Sequence, residues 1–117
     1  MPDLFRHPRR GTLPGMKERQ PCVYILASAF NGTLYIGVIS DLIARIAQHR
    51  SGTHDGFSKR HRVLRLVWFE VHESMEAAIA AEKRIKRWRR DWKKNVIERE
   101  NPHWDDLAVG LGLPPLR

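Results

Sequence analysis

A chain of 117 residues with 42% hydrophobic content holds one domain around one core, and that content excludes wholesale disorder. Its 21 Lys and Arg against 13 Asp and Glu leave a formal charge of +8, a field that draws polyanions, nucleic acid above all. The lone cysteine, Cys22, excludes an intrachain disulfide and a thiolate metal cluster, and no apolar run is long enough to span a bilayer.

Residues 1–20 mix proline, glycine and charge without periodicity and predict a flexible basic tail. No apolar run follows its basic residues, so it does not read as a secretory signal, and a cytoplasmic location is expected. The apolar run CVYILA (22–27) predicts a strand, the Asn31-Gly32 pair in the loop SAFNG signals a hairpin, and TLYIGV (33–38) predicts the returning strand. SDLIARIAQHRSG predicts a helix capped by Ser40 or Asp41, buried through Leu42, Ile43 and Ile46, and ended by Gly52. After the polar loop THDGFSKRHR, LRLVWFEVH (64–72) predicts a third strand. Simple alternation places its Val67, Phe69 and Val71 on one face and Leu66 and Trp68 on the other. ESMEAAIAAEKRIKRWRRDWKKNVIERE has helical periodicity, with a break expected near Asp91 and a stop at Pro102. The folded domain is then 21–107, and AVGLGLPPLR (108–117) reads as a second loose end. The order β-β-α-β-α-α predicts an α+β fold, a small three-stranded antiparallel sheet flanked by helices.

Several features exceed architecture. If the hairpin loop has an even number of residues, Val23, Ile25 and Ala27 share an aliphatic face with Leu34, Ile36 and Val38, and Tyr24, Tyr35 and Gly37 gather on the other. A buried tyrosine hydroxyl needs a partner, and a glycine inside a strand marks a close backbone approach. Either these tyrosines are ordinary strand residues with edge-exposed hydroxyls, or this is a working face. Second, Glu82 falls on the apolar stripe of Met75, Ala78, Ile79, Ala81, Ile85, Trp88 and Trp92, where a carboxylate is costly unless paired, hydrogen-bonded or bound to metal. Arg45 and His49, at i and i+4 with Asp41 a turn earlier, share a helix face; arginine suits an anionic oxygen, and His49 can relay a proton, bind phosphate or cap the helix end. Third, KRIKRWRRDWKK (83–94) is a dense basic block, expected to send Trp88 and Trp92 into the core and its charges to nucleic acid.

The pieces CVY (22–24), YIG (35–37), Arg45, Glu82 and Asn101 in NPHW occur in the order of the GIY-YIG endonucleases, and the chain resembles that family over roughly residues 21–105. The small stand-alone bacterial members, the excinuclease-like endonucleases, are the nearest in appearance. YIG alone is a weak motif; the ordered set is specific. The resemblance implies hydrolysis of a DNA phosphodiester with one divalent metal, Mg²⁺ or Mn²⁺, in repair or recombination, on DNA that is branched or damaged. It makes Glu82 the metal ligand and Arg45 the residue that steadies the phosphate. Tyr24 and Tyr35 position or activate the attacking water, with His49 and Asn101 as further catalytic candidates. Cys22 stands where the first motif has glycine. Phenol is a poor base near neutral pH unless a cation lowers its pKa, and Lys59 and His61 are possible neighbours for that task. Contacts to DNA are expected from Lys59, Lys86, Arg87, Arg90 and Lys94. Two other readings use the same charge: a non-catalytic nucleic-acid-binding module that retains the fold, and a basic adaptor for an acidic protein.

Overall fold

The computed structural model describes residues 20–51 and 62–113. The expected basic tail, but for Gln20, and nearly all of the polar loop, Lys59 and His61 included, lie outside the described residues.

Strand β1, Cys22–Ala27, is buried at every position. A strand with no wet face belongs in the middle of a sheet. It lies between β2, Leu34–Ile39, and β3, Arg65–Val71, and both pairings are antiparallel. In the hairpin, Ile25 pairs with Ile36 and Tyr24 with Gly37, the register of an even loop. Asn31 takes φ 60, which asparagine tolerates, but within a wider turn. There the Gly32 amide donates to Ala29 O at 2.9 Å and the Ser28 amide to Thr33 O at 3.0 Å.

The third strand departs from simple alternation. Ile25 faces Trp68 while Leu26 faces Leu66, so Val67 is the extra residue of a β-bulge. The bulge sends Val67 and Trp68 together into one core with Val23, Ile25 and Ile36, and returns Leu66, Phe69 and Val71 to the other face. The alternation expected above is corrected accordingly.

Each face has its helical cover. Helix α1, Leu42–Ser51, starts at Asp41, whose Oδ1 accepts from the Ala44 amide at 3.2 Å, and buries Leu42 and Ile46 beside Tyr24 and Leu26. Ile43 is only half-buried. Helix α2, Met75–Arg87, is capped by Ser74, whose Oγ accepts from the Ala77 amide at 3.1 Å, and lays Ala78, Ala81 and Ile85 on the opposite face. Extended backbone at Trp88 and Arg89 ends it before α3, Arg90–Glu100, begins. The break therefore precedes Asp91 by two residues and resets the helical phase. Ile97, not Trp92, continues the buried face. Met75, Ile79 and Trp92, expected in the stripe, are exposed.

The expected loose end is docked as far as residue 113. Ala108 is buried, a short 3₁₀ turn covers Val109–Leu111, and Leu111 and Leu113 pack on the Tyr24 side of the sheet. Arg50 holds this segment through Asp106, Nη2 to Oδ1 at 2.8 Å, and Asp106 Oδ1 also accepts from the Leu66 amide at 3.3 Å. Residues 114–117 lie outside the described residues. No helix among the described residues is long and apolar enough to cross a membrane.

Asn101 closes the helical layer. Its backbone amide caps α3 on Ile97 O, and its buried Nδ2 donates to Val67 O at 3.0 Å and Asp105 O at 2.9 Å. The side chain thus serves a carbonyl of the bulge. Asn101→Ala should lower the free energy of unfolding by about 2–3 kcal/mol, the cost of leaving buried polar groups unpaired. Urea unfolding measures it, and an unchanged midpoint would refute this role.

Candidate active site

The working face is built around Gly37. Tyr24, on the central strand, is 1% exposed, and its ring lies across the backbone of its partner Gly37 on the edge strand. A Cβ at position 37 would stand 2.5 Å from Tyr24 Oη and 2.6 Å from Cζ. Because the ring is enclosed, it cannot simply step aside. Glycine in YIG is therefore a spatial requirement of the tyrosine opposite. Gly37→Ala should cost about 1–3 kcal/mol of stability by overpacking and displace the phenol. A variant with an unchanged melting temperature would show that the ring has room.

Tyr35 stands on the same face, its ring centroid 6.3 Å from that of Tyr24, and is half-buried. Helix α1 brings in Arg45, one turn after the Asp41 cap, its amide donating to Asp41 O at 3.1 Å. The Tyr24 hydroxyl shares hydrogen bonds with the Tyr35 hydroxyl and the Arg45 guanidinium. Burial pushes the Tyr24 phenol well above its ordinary range and Tyr35 adds to the shift, while Arg45 pulls the other way. Tyr24 is consequently a protonated hydroxyl at neutral pH. Cys22, at the start of the same strand, is buried with its thiol pushed up to about 12 by burial and then by Asp41, so it packs as a neutral side chain.

Glu82 sits on α2 between Ala78 and Ile85, its side chain 15% exposed, with Oε2 2.7 Å from Lys86 Nζ. Helix α2 packs on both hairpin strands from the face opposite the tyrosines. The structure thus brings Tyr24, Tyr35, Gly37 and Arg45 together and sets Glu82 on the helix behind the same hairpin. It does not bring Asn101 to them; that amide is occupied at β3, the far edge strand. The His49 side chain, like Lys59, lies outside the described residues.

Among the expected DNA contacts, Arg87 is exposed and Lys94 half-buried, and Lys86 pairs with Glu82. Arg90 is used differently. Its Nη2 donates to Asn31 O at 2.9 Å and Gly32 O at 2.7 Å, tying α3 to the hairpin loop. Sequence reading missed Arg89, whose guanidinium carbon lies 5.5 Å from the centroid of the Trp92 ring. No proline or glycine marks the helix break that places it there.

No group of three or more His, Cys, Asp or Glu that could hold a metal ion occurs among the described residues. The single carboxylate of Glu82 nevertheless fits a hard cation that keeps most of its water and completes its shell with a substrate phosphate.

Comparison with known proteins places these features in context. The family model of the GIY-YIG catalytic domain matches residues 20–95. The UPF0213 proteins of Staphylococcus aureus strains Mu50 and N315 are each 33% identical to this chain over 76 residues, 65% of it and 92% of theirs. The solution NMR structure of the UPF0213 protein BH0048 from Bacillus halodurans is similar with a TM-score of 0.48 and 25% identity, over 81% of this chain and 99% of that one.

Proposed function

The chain belongs to the GIY-YIG family of nucleases, and from that premise we propose that it hydrolyses DNA phosphodiester bonds with the help of one divalent metal ion, Mg²⁺ or Mn²⁺. The observation that carries the reading is the enclosed Tyr24 hydroxyl, lying across Gly37 and hydrogen-bonded with Tyr35 and Arg45. A purely architectural strand has no use for such a cluster of polar groups.

Arg45, Tyr24 and Tyr35 take their roles from the face they share, and Glu82, on the helix behind the hairpin, takes its role from the family resemblance. Arg45 offers a planar fork of donors to a phosphate oxygen and offsets its charge. Tyr24 keeps its proton and orients water or phosphate by hydrogen bonding. Tyr35, the more accessible phenol, is the group that orients the attacking water by hydrogen bonding. Glu82 is the carboxylate that would hold the metal ion, which when bound supplies Lewis-acid stabilisation of the phosphate charge. A role in repair or recombination, and a cytoplasmic location, belong to the same proposal.

The Glu82–Lys86 ion pair favours a second reading, a binding module that retains the fold without cleavage. Incubating the purified chain with duplex, nicked and branched DNA in Mg²⁺, Mn²⁺ or EDTA separates the two. Cleavage that EDTA stops supports the nuclease; salt-sensitive binding without cleavage in either metal supports the module.

The electrostatic part is testable apart from chemistry. Arg87→Gln combined with Lys94→Gln spares both the Glu82 pair and the Arg90 clamp. The double variant should weaken binding to all duplex sequences alike and reduce the slope of log affinity against log salt by about 2, roughly one unit per phosphate contact. An unchanged slope would make these two residues a solvated face.

A further inference from the structure

We infer that the corner between α2 and α3 is a stacking platform for an unpaired DNA base, with Trp92 as the ring and Arg89 as the partner of that nucleotide's phosphate. The inference rests on the nuclease reading above and assigns part of its substrate: a DNA strand with an unpaired segment.

Trp92 is 52% exposed, although a tryptophan has more apolar surface to bury than any other side chain. The ring is nonetheless held in place. Arg89 lies over it, and Trp88, itself packed against the core, meets it at 6.2 Å between centroids and 72° between planes. An indole fixed in this way has already lost most of the freedom that binding would remove.

Its surroundings choose the ligand. The segment 83–94 carries eight Lys and Arg and one Asp. Protein interfaces deplete lysine but enrich tryptophan and arginine at their centres, so the net positive charge of the segment is what selects a polyanion. A polyanion that carries flat aromatic rings matches both features, and stacking on an exposed aromatic within a basic surface is how single strands are held without sequence preference. Paired bases hide their faces in the stack; only an unpaired base can lie on Trp92. Trp92 lies ten positions after Glu82, on the far side of the break between α2 and α3.

The test compares the full chain with its Trp92→Ala and Trp92→Phe variants on a duplex, the same duplex with a single-stranded flap, and the free single strand. Trp92→Ala should weaken flap and single-strand binding roughly tenfold to a hundredfold, the scale of one base stack, and leave duplex binding and cutting unchanged. Trp92→Phe should retain most of the flap affinity. Because Trp68 and Trp104 are buried and Trp88 half-buried, quenching of tryptophan fluorescence by the single strand should vanish in Trp92→Phe. Equal weakening on duplex and flap, quenching that survives in Trp92→Phe, or a sedimenting dimer that covers Trp92 would each overturn the inference. If no form of DNA is bound or cut, the nuclease reading fails first. If duplex is bound and cut but the flap is not preferred and nothing is quenched, the platform alone fails.

Discussion

Glu82→Gln should lower the single-turnover cleavage rate by at least about a thousandfold, since a metal ligand that neutralises transition-state charge is worth several kcal/mol. The fold should survive. Glutamine keeps the shape of a side chain already accommodated between Ala78 and Ile85, and Lys86, whose side chain is 54% exposed, stays hydrated when its partner loses charge. DNA binding should hold or tighten slightly, because one anionic group leaves the surface. Lys86→Gln is the companion variant. If the carboxylate serves a metal, removing the ammonium 2.7 Å away leaves cleavage intact and lowers the metal concentration it requires. If the carboxylate only balances Lys86, both variants cut at the unaltered rate, and Glu82 is excluded as the ligand.

Much of the fold is written in short-range signals. Side chains alternate along strands, so an even loop was enough to put Tyr24, Tyr35 and Gly37 on one face, and the uninterrupted apolar run 22–27 fits the one strand covered on both faces. What escaped the sequence depends on long-range pairing. Nothing in LRLVWFEVH says that Val67 bulges, because the extra residue is extra only relative to β1. Its carbonyl is met by Asn101, which lies 34 residues away in sequence. Trp92 was assigned to the core because one periodicity was carried through KRIKRWRRDWKK; a break with no Pro or Gly turned it outward. The segment 108–113 looked loose for a similar reason. Its glycines, and Pro114 and Pro115 that follow it, mask Leu111 and Leu113, which pack against the core only once β1, β3 and α1 form the surface that receives them. In the site, the residue types were legible and their partnerships were not. The Glu82–Lys86 pair follows the i, i+4 rule, whereas the clamp from Arg90 to the hairpin loop had no signal in the sequence.

Tyr24→Phe and Tyr35→Phe should separate the two phenols of the motif. Each removes one oxygen and keeps the ring. At Tyr24 the lost oxygen is buried and hydrogen-bonded with Tyr35 and Arg45, so stability should fall by about 1 kcal/mol. If the hydroxyl orients water or phosphate, the single-turnover rate should fall by roughly 10²–10⁴ with DNA affinity nearly unchanged. Tyr35→Phe should lose a similar factor in rate with a smaller change in melting, because its ring is half-buried. The double variant is the decisive one. The two hydroxyls share a hydrogen bond, so if both serve one proton-transfer step the double loss should be well short of the product of the single losses. Arg45→Lys belongs beside them, since lysine keeps the charge but cannot bridge Tyr24 and a phosphate with one planar fork. Cleavage measured against thermal melting for the four variants reads out the outcome. Should both phenylalanine variants cut at the unaltered rate, the hydroxyls are bystanders, and Gly37 makes room only for a ring.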